Sequence, residues 1–346
     1  MKHKSLLLIA VFIISVSQLF AGNEQRAGQA GAGELLINPW ARSSGWGGAN
    51  VACITGLEAQ FNNVAGTAFT RKTELIFANT QLLMNTGIQL NTFGLSQRVS
   101  ETGVLTLSVI SMNLGEIEKT NYESPEGGLG TFNPQYTNIG VSYAKEFSNS
   151  IYGGVTIKIL NEKISNLSSP GVAIDAGIQY VTGKNDQLKF GITMKNVGPT
   201  MKFSGDGMSL RGETPEGVVM TMENRSNEFE MPSLIKIGAS YDFILSENHL
   251  ITTAANFTSN SFTKDQYHGG IEYSFNEIFM IRGGYVYEEG LLEEAERTTA
   301  YTGPTGGVSV QFPLNKETGT TFSLDYSYRD TDPFEGTHTF GARISL

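Results

Sequence analysis

From Thr73 to the C-terminus the sequence keeps a period of two. This constrains the fold more than any other feature of the chain. Phe340, Ala342, Ile344 and Leu346 alternate with Thr339, Gly341, Arg343 and Ser345, and Val172, Ile174, Ala176, Ile178 and Tyr180 bracket Asp175 and Gln179. Successive side chains of a strand point to opposite faces, so each segment has one apolar and one polar face. The pattern predicts strands at 73–83, 86–97, 103–114, 135–147, 152–160, 171–181, 188–197, 234–243, 250–258, 267–275, 279–287, 307–312, 320–329 and 337–346. That is about fourteen strands, most near the ~9–11 residues that a tilted strand needs to cross a bilayer. Beyond the N-terminus there is no run of ~18 apolar residues, the length that marks a membrane-spanning helix.

Alternation alone suits a soluble sandwich as well as a membrane barrel. Loop lengths separate the two. Connections after the fourth, sixth, eighth and tenth strands are short (148–151, 182–187, 244–249, 276–278). Those after the third, seventh and eleventh are long (115–134, 198–233, 288–306). Strict alternation of long and short is what a barrel with short periplasmic turns and long external loops requires. The expected fold is all-β: a transmembrane antiparallel β-barrel of about fourteen strands with an N-terminal hatch inside the lumen. An even strand number is expected to put both termini on the periplasmic side, where the hatch can fold upward into the lumen.

The polar face sets a register. A turn about Glu277 opposes Phe275 to Phe279, Tyr273 to Ile281 and Glu272 to Arg282. A turn about Phe334 opposes Leu324 to Ile344 and Asp325 to Arg343, and one about Asn185 opposes Ile178 to Ile192 and Asp175 to Lys195. In each hairpin the register that pairs apolar with apolar also pairs opposite charges, and a slip of one residue would turn every side chain to the wrong face. Two readings stay open for these lumenal charges: ion pairs that neutralise one another inside a plugged barrel, or a charged path for a ligand.

Ahead of the strands, Met1-Lys2-His3-Lys4 and the apolar run Ser5–Phe20 have the form of a secretion signal. Cleavage is expected after Ala21, with Ser17 the alternative, and no Cys lies nearby to carry a lipid anchor. This divides the chain into 1–21 signal peptide, 22–70 hatch and 71–346 barrel. The hatch is Gly-rich and only weakly periodic, and centres on LLINPWARSSGWGGANVACITGLEAQFNNVAG, residues 35–66. Its motif residues are Asn38, Arg42, Gly45, Trp46, Gly47, Gly48, Asn62, Asn63 and Gly66. Arg42, Gly45-Trp46-Gly47-Gly48-Ala49, Val51-Ala52 and Asn63-Val64-Ala65-Gly66 resemble the opening of FadL-type outer-membrane barrels. Within that group they are most similar to the PorV/PorQ family of the type IX secretion system. Trp46 stands where that family usually has Met, and Val64 where it usually has Pro. Ile174–Tyr180, Lys195-Asn196-Val197-Gly198-Pro199, Met231-Pro232 and Arg282-Gly283-Gly284-Tyr285 resemble barrel-strand motifs of the same family.

The resemblance implies a non-enzymatic protein of the cell outer membrane. Its expected partners are outer-membrane lipid, translocon or surface-attachment proteins, and exported cargo held through a C-terminal signal domain. The alternative class is a FadL-like transporter of hydrophobic small molecules. A lipid-modifying enzyme is a third class, but no nucleophile–base pair supports it. No cofactor or metal is expected: His249, His268 and His338 lie in separate hairpins without metal-ligand spacing. His268 shares the inward face with Glu272, a weak acid–base candidate. Cys53 is the single cysteine, so no internal disulfide forms, and a small buried apolar role is expected for it. The net charge is −10, and the long loops are acidic, with Glu213, Glu216, Glu223, Glu228 and Glu230 in one and Glu288, Glu289, Glu293, Glu294 and Glu296 in another. Charge sign excludes nucleic acid as a partner of that face.

Overall fold

The computed structural model describes residues 22–346, so the expected secretion signal lies outside the described residues. Among these, fourteen antiparallel strands close into one barrel. They are β1 (Thr73–Leu82), β2 (Ile88–Arg98), β3 (Gly103–Asn113), β4 (Gln135–Ser148), β5 (Ile151–Ile164), β6 (Leu167–Thr182) and β7 (Leu188–Val197). The second half holds β8 (Leu234–Ser246), β9 (His249–Asn260), β10 (Gln266–Phe275), β11 (Phe279–Glu288), β12 (Tyr301–Asn315), β13 (Thr320–Thr331) and β14 (Thr337–Ser345). Each strand pairs with its neighbour along the barrel, and β1 pairs with β14 from Glu74↔Ser345 to Gln81↔His338.

Burial is inverted relative to a water-soluble protein. Val155, Ile157, Ile159, Ile178, Phe190, Ile192, Ile235 and Ile237 are exposed on the outer face. Their lumenal neighbours Thr156, Lys158, Gln179, Thr193 and Lys195 are buried. An apolar outer belt around a polar interior suits a bilayer and excludes the sandwich.

One end of the barrel carries only short turns, at 99–102, 149–150, 183–187, 247–248, 276–278 and 316–319. The other end carries 114–134, 198–233 and 289–300, the first two with small ribbons, Ile117–Glu118 against Thr131–Phe132 and Ser209–Glu213 against Val219–Glu223. The strict long/short alternation expected from sequence is corrected here. Four connections at the long-loop end are also short: 83–87, 165–166, 261–265 and 332–336. In particular β5 and β6 continue to a two-residue turn where Ser165 takes φ 54°. The extended strands take up residues 161–164 and 167–170, which lie outside the strands expected from sequence.

The N-terminal segment starts among the long loops. Gly31 N donates to Glu230 O at 3.0 Å, the Arg26 guanidinium pairs with Glu230 and lies 4.2 Å from the Phe262 ring centre. The chain then runs down the lumen through short helical turns at Gly33–Leu36, Ala41–Ser44, Ala49–Ala52, Ala59–Asn62 and Val64–Phe69. It joins β1 at the short-turn end, where Leu346 N donates to Thr73 O at 2.8 Å. The two ends of the described chain therefore lie at opposite ends of the barrel, which corrects the expectation that both lie on one side. The even strand count fixes only where β1 begins and β14 ends; the lumenal segment adds one more crossing.

Three apolar contacts seat this segment against the wall. Ala32 and Leu35 pack with Leu160, Ala173, Met201 and Met231. Trp40, Leu57 and Phe61 pack with Ile76 and Ala78, and Trp46 and Ala49 pack with Ala254, joined by half-buried Cys53. Wall glycines admit it closely: a Cβ on Gly191 of β7 would stand 2.5 Å from the Val51 carbonyl oxygen.

Candidate functional site

The lumen holds two groups of charges. Toward the short-turn end a network runs across six adjacent strands. Glu272 on β10 accepts from Arg282 Nε on β11 at 2.6 Å, the pair directly opposed in the ladder. Arg282 Nη2 donates to Ser309 Oγ on β12 at 2.7 Å, and the Ser309 hydroxyl donates to Asp325 on β13. Asp325 Oδ1 lies 3.8 Å from Arg343 Nη2 on β14, and Arg343 Nε lies 4.0 Å from Glu74 Oε1 on β1. Glu74 in turn accepts from the Leu57 N–H at 3.1 Å. Arg42 of the lumenal segment reaches Glu272 Oε1 at 3.4 Å.

Two of the expected pairs are displaced. Asp325 opposes Gly341, and Ser323 opposes Arg343, so the hairpin is shifted by two residues from the expected register. A two-residue shift keeps every side chain on its face, so Asp325 and Arg343 still meet diagonally. Asp175 and Lys195 do not pair. Asn196 adopts φ 59° and inserts one extra residue into β7, and the ladder slips between Ala176 and Ile174. Asp175 accepts from the Asn196 N–H at 2.8 Å and takes Lys158 Nζ at 2.6 Å. Lys195 instead places its ammonium 3.6 Å from the centre of the Phe61 ring, a cation–π contact.

The motif residues of the segment are its hydrogen-bonding hubs. Asn38 donates to Ser43 Oγ at 2.9 Å and accepts from Trp40 N at 3.1 Å. Asn63 donates to Val51 O at 3.0 Å and to Ile178 O on β6 at 3.1 Å, and caps the next turn by accepting from Ala65 N at 3.2 Å. That cap sets the turn in which Val64 occupies the usual proline position, and Gly66 N closes it onto Asn63 O at 3.0 Å. Asn62 donates to Asn50 Oδ1 at 2.8 Å and accepts from Lys236 Nζ at 2.9 Å. Gly47 and Gly48 take φ 61° and 79°, turning their carbonyls outward to wall groups. Gly47 O lies 2.7 Å from His268 Nδ1, Gly48 O accepts from Asn256 Nδ2 at 2.6 Å, and Gly45 O accepts from Thr305 Oγ1 at 3.1 Å. Trp46 lies buried against Gly270 of β10. His268 contacts Gly47 and Thr258 through its two ring nitrogens, and Glu272 is engaged by arginines, so this structure does not join His268 and Glu272.

Residues 20–262 match the family model of the type IX secretion system protein PorV. The chain belongs to that family. No curated protein matches the sequence. Among solved structures, this PorV-family chain is similar to the Pseudomonas putida toluene transporter TodX, at 11% identity and TM-score 0.57 over 89% of this chain and 97% of that one. It is also similar to a Pseudomonas aeruginosa FadL homologue, at 12% identity and TM-score 0.52 over 87% of this chain and 96% of that one. At such identities the likeness is one of fold, and with the family it makes the chain an outer-membrane β-barrel.

Sequence reasoning missed several lumenal partners in this family member. Lys158 was readable as an inward position of β5, but its choice of Asp175 depends on the β7 bulge. Glu74 meets Arg343 only because the barrel closes. Glu288, expected in an acidic long loop, is instead the last residue of β11 and is buried, accepting from Gln266 Nε2 at 2.9 Å and Thr298 Oγ1 at 3.2 Å. Two cavities flank the lumenal segment, one of about 680 Å³ at the short-turn end and one of about 330 Å³ at the long-loop end.

Two outcomes follow from these contacts. Arg282→Met leaves the buried Glu272 carboxylate with Arg42 alone and costs about 3–5 kcal/mol, while adding Glu272→Leu recovers part of it, the remainder being the loss of Arg42's own partner. Urea midpoints of the refolded barrel check this, and a double variant as unstable as the single one would contradict it. Glu58, 3% exposed, accepts from Ser43 N at 2.9 Å. Glu58→Ala leaves the buried Ser43 N–H without that acceptor and should lower the urea midpoint of the refolded barrel; an unchanged midpoint would contradict it.

Proposed function

We propose that this chain is a non-enzymatic component of the type IX secretion system that binds exported proteins through their C-terminal signal domain. It would hold them at the cell surface or pass them between a translocon and a surface-attachment complex. The observation that carries this reading is the filled lumen. Residues 33–70 cross it, bonded to the wall through main-chain and side-chain groups, which leaves recognition to the long-loop end. In this reading residues 22–70 act as a plug, the long loops face the exterior, and Leu346 faces the periplasm. The exposed ribbon Ser209–Glu213 with Val219–Glu223 supplies a projecting acidic and apolar surface for partners.

A second reading, transport of hydrophobic small molecules, draws on the fold shared with the toluene transporter and on the two cavities. It is weakened by their linings, which carry Arg42, Glu58, Glu74, Glu272 and Arg343 at one end and Lys236, Glu288 and Arg329 at the other. Cross-linking and affinity isolation from native membranes distinguishes the two. Recovery with exported proteins or a large translocon assembly is expected; recovery alone with a bound hydrophobic molecule would favour transport. The plug is tested separately. Deleting residues 22–52 should leave an assembled barrel with raised small-solute conductance in planar bilayers, and unchanged conductance would refute the sealing role.

A further inference from the structure

The cavity at the long-loop end contains two cations that no described carboxylate pairs with. Lys236 on β8 and Arg329 on β13 both line it, and neither belongs to an ion pair among the described residues. Lys236 Nζ donates to the neutral Asn62 Oδ1 at 2.9 Å. Arg329 Nε is buried without a hydrogen-bond partner. The acids of the same cavity are already engaged: Glu288 accepts from Gln266 and Thr298, and Asp330 accepts from Tyr328 and from Thr302.

The wall is shaped around Arg329. Between Tyr301 and Thr305, β12 carries extra residues relative to Thr331 and Arg329 on β13, a bulge in which Gly303 takes φ 112°. Bulges re-aim side chains, and here the Tyr301 ring lies over the Arg329 guanidinium, 3.8 Å from its central carbon to the ring centre. Stacking on one face fixes the guanidinium plane and leaves its N–H edge to meet an acceptor lying in that plane. A planar fork beside an ammonium suits an anion with two or three oxygens. Two like charges lining one cavity repel; an anion between them turns that repulsion into two attractions. Burying a guanidinium N–H without an acceptor is costly, and such an orphan in a shaped cavity points to a missing partner.

We propose that Lys236 and Arg329, with Tyr301 as the stacking platform, form a binding site for an oxyanion, a phosphate or carboxylate group entering from the long-loop end. The site stands whether or not the loops bind exported proteins.

The test uses the detergent-solubilised full barrel. Its thermal midpoint is followed while sodium phosphate or sodium acetate replaces sodium chloride at constant ionic strength, with a third arm of phosphatidylglycerol in mixed micelles. A saturable rise is expected in at least one arm, as for any ligand that binds only the folded state. A rise with free phosphate or acetate assigns a soluble anion, and a rise with the lipid alone assigns a headgroup. Lys236→Gln and Arg329→Gln should each weaken the apparent affinity at least tenfold. Arg329→Lys, which keeps the charge but not the fork, should weaken it less than Arg329→Gln and covers the case where the glutamine variant fails to assemble. No saturable rise in any arm, or equal rises in wild type and variants as a general salt effect would give, overturns the proposal.

Discussion

A peptide N–H or C=O facing hydrocarbon has no water to bond, so a sheet that crosses a membrane cannot keep a free edge. The β1–β14 ladder meets that demand, and the rest of the molecule follows from it. Closure forces one side-chain face outward into lipid and the other into a confined interior. Ile157, Ile178 and Ile192 are therefore exposed while Lys158, Gln179 and Thr193 are buried. The interior then has the opposite problem from an ordinary core: it holds polar groups that must satisfy one another at close quarters.

Two devices solve it. Along one side, Glu272, Arg282, Ser309, Asp325, Arg343 and Glu74 link consecutive strands, so charge is balanced strand by strand around the seam. Elsewhere the N-terminal segment brings its own backbone as partner. Its helical turns are too short to satisfy their main-chain groups internally. Wall side chains do so instead: Gln179 Nε2 donates to Ile54 O at 2.9 Å, and Asn256 and His268 engage Gly48 and Gly47. A segment held through its carbonyls needs no hydrophobic period, which is why its sequence looks patternless beside the strands.

This explains what could be read from the sequence and what could not. Strand number and facing were legible because lipid and lumen impose a strict period of two. The β10–β11 register was legible because its turn, 276–278, leaves little freedom and Phe275, Tyr273 and Glu272 each have one matching partner. The β13–β14 register was misread by two because such a shift preserves faces, and apolar patterning cannot see it. The bulge at Asn196 was hidden for a different reason. Asn tolerates a left-handed backbone but does not demand it, so the exchange of Lys195 for Lys158 beside Asp175 left no signature. Contacts made by closure, such as Arg343 with Glu74, join opposite ends of the barrel sequence and have no local signal at all.

The lumenal segment enters beside Thr263 and Asp265 at one rim and becomes β1 at the other, next to Leu346. Topologically the chain is a thread and a ring made of one polymer, with the thread passing through the ring it is tied to. Such an object has a restricted order of assembly. Either the seam between β1 and β14 zips after the thread is laid inside, or the free end is drawn through a finished ring. The wall amides of Gln179 and Asn256 favour the first order, since they donate to carbonyls of the thread. In that order the segment would serve as a mandrel for a cylinder whose bore is set by its fourteen strands, with wall glycines such as Gly191 letting it lie close.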